Sequence, residues 1–329
     1  MGKTLLLAFS LLFPLLAGAA PAAEPVAASD TPERALHGLL LDIATAGERL
    51  VAVGDRGQVL LSDDQGQHWR LGQVPSHALL TAVFFTDAQH GWAVGHDSQV
   101  LASTDGGEHW QVQHDDPARE APLLDLWFAD ADRGLAIGAY GQLLVTTDGG
   151  AHWDDASERL DNPDQLHLNA IGASGDGSLF IVGEQGTLFR SRDAGEHWEH
   201  LDSPYQGSLF GVLATREPGT LLIYGLRGNL LRSTDSGDSW QLVPLGGAET
   251  RVDSGLAGGA LLADGSLVIV GNAGTVLHSE DDGRSFSAFI RPDRQALAAV
   301  VQAPKGELWL VGQGGARRAD SSGKGEGMQ

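Results

Sequence analysis

Three tyrosines, twelve histidines and an excess of carboxylates are the groups in this chain that could do chemistry. Tyr140 and Glu184 stand about one repeat apart, and a tyrosine backed by a glutamate is the nucleophile pair of some glycan-cleaving enzymes. Such a site also needs clustered arginines for a substrate carboxylate and an aspartic acid as proton donor, whereas the arginines here are scattered. Four histidines, His68, His109, His152 and His197, each directly precede a tryptophan in separate repeats. That placement spreads them over the molecule, and no H-x-x-x-H or facial carboxylate spacing occurs, so neither a metal site nor a cofactor is expected. Asp63-Asp64 and Asp281-Asp282 have the charge for Ca²⁺, but each pair lies where its side chains serve their own turn. The G-x-x-G segments join strands and open no helix, which excludes a phosphate loop. Formal charge is −22, and Lys305 and Lys324 are the only lysines after Lys3, so nucleic acid is excluded as a partner.

What must position these groups is a repeat. Six segments fit [ST]-x-D-x-G-x-x-[WF]: Ser62 to Trp69, Ser103 to Trp110, Thr146 to Trp153, Ser191 to Trp198, Ser233 to Trp240 and Ser279 to Phe286. Their first residues follow one another at intervals of 41 to 46, the length of a four-stranded propeller blade. The aspartates are Asp64, Asp105, Asp148, Asp193, Asp235 and Asp281. Their carboxylates and the neighbouring hydroxyls can accept backbone N–H groups within the turn, and the glycine permits positive φ. The aromatic residue then caps the blade. A second signature, a hydrophobic residue and glycine followed by a short turn, precedes each box at Gly54, Gly95, Gly138, Gly183, Gly225 and Gly271. A seventh copy at Gly312 has no good box after it. Seven copies predict an all-β, single seven-bladed propeller with Asp-box turns. In its second blade, strands are expected at 80–85, 91–94, 99–103 and 109–113.

The ends read differently. Residues 1–22 have the features of a signal peptide, with Lys3, an apolar run over 4–16 and Ala17-Gly18-Ala19. Export is therefore expected, with no membrane insertion once the leader is cleaved. No cysteine is available, so stability must come from packing. The propeller is expected over 37–319, its last blade supplying three strands at 296–302, 308–312 and 316–319. An open edge leaves backbone groups unpaired, and a segment within 26–36, part of the 23–36 stretch after the leader, is expected to add the ring-closing strand. Residues 320–329 are polar, Gly-rich and expected to be disordered.

These boxes, the recurring turn and phrases such as Thr86-Asp87-Ala88-Gln89-His90-Gly91-Trp92-Ala93-Val94-Gly95 resemble the photosystem II assembly and stability factor family, in its bacterial, exported form. The resemblance extends over 39–315 and implies a seven-bladed propeller, a lumenal or periplasmic address and a chaperone-like role in assembling membrane complexes. Photosynthetic members are associated with a basic arginine patch. Here Arg56 and Arg227 occupy equivalent turns, while Asp97, Tyr140, Gln185, Ala273 and Gly314 take that place in the others.

Comparison of the repeats also locates a face. The box side is monotonous, whereas the turns between second and third strands vary in every blade, as the variable loops of repeat scaffolds do. Candidate binding residues are therefore Arg56, His96, Tyr140, Glu184, Arg227 and Asn272 around the central mouth. Asp42, Thr81, Asp125 and Asn169, near the starts of innermost strands, are expected to line the channel as solvated polar groups. Two functions follow: a non-catalytic scaffold that binds a protein client of a membrane or envelope complex, or a glycan-binding or sialidase-like propeller.

Overall fold

The structure is a computed structural model and describes residues 31–245 and 252–325. The expected leader and residues 26–30 lie outside the described residues. Alternating β-branched and leucine-rich segments, separated by glycine turns, fold into six four-stranded antiparallel sheets and one three-stranded sheet. In the first blade the order from the axis outward is Leu40–Ala46, Arg49–Gly54, Val59–Ser62 and Arg70–Leu71. The second blade repeats it with Leu80–Phe85, Gly91–Gly95, Val100–Ser103 and Gln111–His114. The innermost strand of each blade lies against those of its two neighbours, and that of blade seven, Leu297–Gln302, lies against that of blade one.

The second strands read as continuous apolar runs because both of their faces are covered. Leu221–Gly225, Leu267–Gly271 and Leu308–Gly312 are buried at every position. Seven hydrophobic clusters result, one at each junction between blades. No blade has a core of its own.

Ring closure departs from expectation in one respect. The expected closing strand is a helix, Pro32–Leu36, over the part of 26–36 that is described. Thr31 accepts the Arg34 N–H as N-cap and Pro32 occupies the first turn, both of which favour a helix start. Ala35 plugs the junction of blades one and seven beside Leu40, Leu60, Trp309 and Val311. The Trp309 indole donates to the Gln65 carbonyl at 3.2 Å, and the Lys305 N–H donates to Gln65 Oε1 at 3.1 Å. Trp309 also meets Trp69 edge-on at 5.4 Å. Gly66, at φ 84°, must be glycine here, since a Cβ would fall 2.0 Å from the Trp309 ring.

The C-terminal segment also differs from expectation. Residues 320–325 form an ordered turn in which Asp320 Oδ1 accepts the N–H groups of Ser322 and Lys324 at 2.9 and 3.0 Å. Gly323 is buried against Val276 of blade six, where box glycines of other blades meet their neighbours. The turn closes as a hairpin, with Asp320 N–H donating to the Lys324 carbonyl and Gly323 N–H to the Asp320 carbonyl. Residues 326–329 lie outside the described residues.

Because closure rests on packing, Trp309→Ala is expected to destabilise the whole ring by about 3–5 kcal/mol, the usual consequence of emptying a buried aromatic site. A denaturant midpoint unchanged from wild type would show that the junction of blades one and seven does not hold the fold.

Candidate functional site

The box face is chemically self-contained. In the third box the Thr146 hydroxyl donates to Asp148 Oδ1 at 3.0 Å and accepts the Gly150 N–H at 2.8 Å. The same Oδ1 accepts the His152 N–H at 2.9 Å, and Oδ2 bonds His152 Nδ1 at 2.7 Å. Asp64 with His68, Asp105 with His109 and Asp193 with His197 repeat the arrangement. Ser239 and Ser285 replace the imidazole on Asp235 and Asp281, each at 2.6 Å. The backbone N–H and then the ring of the following histidine hold the carboxyls of Asp64 and Asp193 down at about 2. For Asp148 the ring of His152 acts first and its N–H second, to the same value. Trp110 and Phe286 are buried, while Trp69, Trp153, Trp198 and Trp240 are half-buried on the edges of their sheets. The box histidines are thus turn partners. Among the described residues no group of three or more His, Asp or Glu could hold a metal ion.

The opposite face is built from six short 3₁₀ turns. Their first residues donate a backbone N–H to the residue leading into the same blade's inner strand, as Glu184 does to the His167 carbonyl at 3.0 Å. The middle residues, Arg56, Asp97, Tyr140, Gln185, Arg227 and Ala273, are all left-handed, with φ between 53° and 61°. The left-handed backbone there carries a modest strain, and each turn holds a non-glycine residue in that place.

The candidate residues divide accordingly. Arg56, Tyr140 and Arg227 hold the left-handed place, and Arg56 lies 3.5 Å from the Asp55 carboxylate. His96 and Asn272 are exposed first residues of their turns. Glu184 accepts the His167 N–H at 3.1 Å and so also holds a link between blades.

One group of these residues comes together. The Tyr140 ring, 56% exposed, meets His167 edge-on at 4.9 Å, and His167 Nδ1 stands 4.0 Å from Glu184 Oε1. The Tyr205 hydroxyl donates to the Leu226 carbonyl at 3.2 Å, and Leu226 is itself 38% exposed beside Arg227. A band of aromatic, apolar and charged groups therefore runs across blades three to five. The other candidates, Arg56, His96 and Asn272, stand on blades one, two and six.

The axial channel encloses about 310 Å³. Its polar residues clasp neighbouring blades. Asp42 accepts the Val83 N–H at 2.8 Å, and the Thr81 hydroxyl donates to the Leu123 carbonyl at 2.8 Å. Asp125 accepts the Ile171 N–H at 2.9 Å, and the Asn169 amide donates to the Leu209 carbonyl at 2.8 Å. Burial raises the Asp42 carboxyl to about 6 against the pull of its backbone bonds. Burial likewise raises Asp125 to about 7, with the charge of Asp42 adding to it. Blades five to seven place Phe210, Gly211, Ala257, Gly258, Ala298 and Ala299 along the same channel.

With this geometry in hand, comparison with known proteins identifies the family. The model of the family described as photosynthesis system II assembly factor YCF48 matches residues 62–121 and 115–326. The chain belongs to this family. A YCF48 structure with a bound D1 peptide superposes with TM-score 0.69 at 19% identity, covering 85% of this chain and 92% of that one. YCF48 from Cyanidioschyzon merolae gives 0.66 at 17%, covering 85% and 95%. Virginiamycin B lyase from Staphylococcus aureus gives 0.71 at 10% identity, covering 85% and 94%, a likeness of fold alone. A search of curated proteins gives no match. As a member of the YCF48 family the chain is an exported, non-catalytic, protein-binding propeller.

Sequence reasoning missed His167 and Tyr205, which lie in links that differ from blade to blade and share no repeat position. Tyr224, where the other second strands have valine or isoleucine, is 2% exposed and also lines the channel opposite Gly211.

The two sets of aspartates give opposite dependences on pH. The box carboxyls sit below their unfolded value, so their contribution is present above about pH 4 and is lost as pH falls toward 2. Asp42 and Asp125 sit above theirs, so the folded state holds their protons more tightly. Stability from these two is greatest below about pH 4 and declines as pH rises through 6 to 7. Melting temperatures measured from pH 4.5 to 8 should fall with a slope that flattens in Asp42→Asn/Asp125→Asn. An identical slope in that variant would remove the channel carboxyls as its cause.

Proposed function

We propose that this propeller is a periplasmic assembly factor that grips a protein client, part of a membrane-embedded or envelope complex, on the face built from the 3₁₀ turns. The observation that carries the reading is the Tyr140–His167–Glu184–Tyr205–Leu226 band. Tyrosine and arginine anchor protein interfaces because they offer wide contact area and directional polar groups at modest entropic cost. Here Tyr140 and Arg227 are displayed at left-handed positions that the fold alone would fill better with glycine. Family membership supports a protein client, and the relative captured with D1 peptide supports recognition of a peptide segment. Arg56, His96 and Asn272 extend the surface around the remaining blades. Among the described residues no helix is long and apolar enough to cross a membrane.

Strain separates binding from stability in the test. Tyr140→Gly and Arg227→Gly each relieve a left-handed residue, so each should leave the melting temperature unchanged or raise stability by about 1 kcal/mol. In a crosslinking pull-down of mature protein from its native envelope, wild type should recover a specific membrane protein and the double variant should lose it. Recovery of the same partners by both proteins would move the binding surface elsewhere.

A further inference from the structure

We propose that the channel mouth on this face is a socket for the side chain of a lysine presented by the client. The inference rests on the protein-binding reading above and names what the centre of that surface recognises. Each inner strand enters from the link on the variable face, so its first residues stand at the mouth. All seven inner strands carry a register irregularity there, as between Leu40 and Asp42 or Leu80 and Ala82. Such a bulge re-aims side chains, and it turns two consecutive residues toward the axis. In blades one and three these are Leu41 then Asp42, and Leu124 then Asp125. With Phe210 of blade five, the leucines make an apolar collar, and the carboxylates lie one residue deeper.

The third polar group is the one the repeat does not predict. Tyr224 stands where the other blades have Val53, Val94, Ile137, Val182, Val270 and Val311. Its facing partner is Gly211, where a Cβ would fall 2.3 Å from the phenol ring, and Gly259 of blade six gives way to its hydroxyl in the same manner. The side chain is 2% exposed and lines the channel, yet its hydroxyl makes no hydrogen bond among the described residues. The hydroxyl opens onto the channel rather than being sealed in the core, so a ring admitted by two glycines presents an unpaired hydroxyl to an incoming group.

That group must be a donor and a cation. Neither Asp42 nor Asp125 has a cationic partner among the described residues, and each carboxylate is bound only by backbone N–H groups of its own and the next blade. Blades one, three and five, spaced around the ring, contribute Asp42, Asp125 and the Tyr224 hydroxyl as acceptors. An ammonium has three N–H donors, and its methylene stem suits the Leu41, Leu124 and Phe210 collar as long cationic side chains do elsewhere. A chain of net charge −22 draws such a cation toward the mouth.

The test is a chemical-shift titration of isotope-labelled mature protein with acetyl-Gly-Lys-Gly-amide, with the norleucine counterpart and with CaCl₂. The lysine peptide should shift channel residues saturably and the norleucine peptide should not. Tyr224→Phe keeps the ring and breaks no protein hydrogen bond, so it should melt as wild type does and bind about tenfold more weakly. Asp42→Asn/Asp125→Asn should abolish binding. Equal binding of both peptides, unchanged affinity in Tyr224→Phe, or saturation of the channel by Ca²⁺ with no response to lysine would each overturn the socket. If envelope capture still depends on Tyr140 and Arg227 while the lysine peptide is ignored, the socket alone fails. If capture is indifferent to those residues, it is the client-binding face that fails.

Discussion

No blade of this protein can bury its own hydrophobic surface, and that constraint governs the rest of the molecule. A single twisted sheet exposes two apolar faces, and each face here is covered only by the next blade. Seven junctions must therefore form, and the last joins residues some 240 positions apart, Gln65 and Trp309. The helix Pro32–Leu36 follows from the same need. Among the described residues blade seven has three strands, and Ala35 packs into the junction beside it.

The same constraint explains what the repeat leaves available for function. Box carboxylates, box histidines and most aromatic residues are consumed in holding turns and junctions, which is why a chain so rich in Asp and His has so little free chemistry on that side. The other face is held by backbone bonds at its turns, Glu184 N–H to the His167 carbonyl being one, and by side-chain bonds that differ from blade to blade, such as Gln142 to Ser98 and Asn229 to the Leu226 carbonyl. Its left-handed positions carry Arg56, Asp97, Tyr140, Gln185, Arg227 and Ala273. The asymmetry is one of repetition: the box face repeats the same side-chain bonds, and the turn face varies them.

The periodic part of the fold was legible in the sequence because each box and each turn is decided within about eight residues, by glycine, hydroxyl and carboxylate acting locally. The blade count and the second-blade strands follow from that, and Leu80–Phe85 and Gly91–Gly95 fall where alternation places them. What escaped depends on register between distant segments. The helix at Pro32–Leu36 has local signals in Thr31 and Pro32, which an argument from edge pairing alone passes over. The turn at Asp320 has Ala319 and Ser321 where a box has its hydroxyl and its aspartate, so no motif marked it, although Gly323 packs as a box glycine does. His167 and Tyr205 were invisible because links carry no repeat phase, and only the ring brings them beside Tyr140 and Leu226.

Departures from the repeat are accordingly the most informative residues. A seven-bladed scaffold at 10% identity also serves a lyase, so the ring itself decides nothing about chemistry. Where seven copies of one position exist, six of them define what packing requires, and the seventh is released from explanation by packing alone. Tyr224 is such a residue, since valine or isoleucine fills that site in every other blade. Its ring is accommodated because Gly211 and Gly259 lack side chains, and its hydroxyl is left facing the channel. Packing alone is met by valine or isoleucine at the other six copies, and the glycines weaken the strands that carry them. The Tyr140 turn obeys the same logic on the surface, where glycine would relieve strain. At both places the sequence accepts a local disadvantage on the same side of the ring, the pattern expected of residues kept for what they meet rather than for what they hold together.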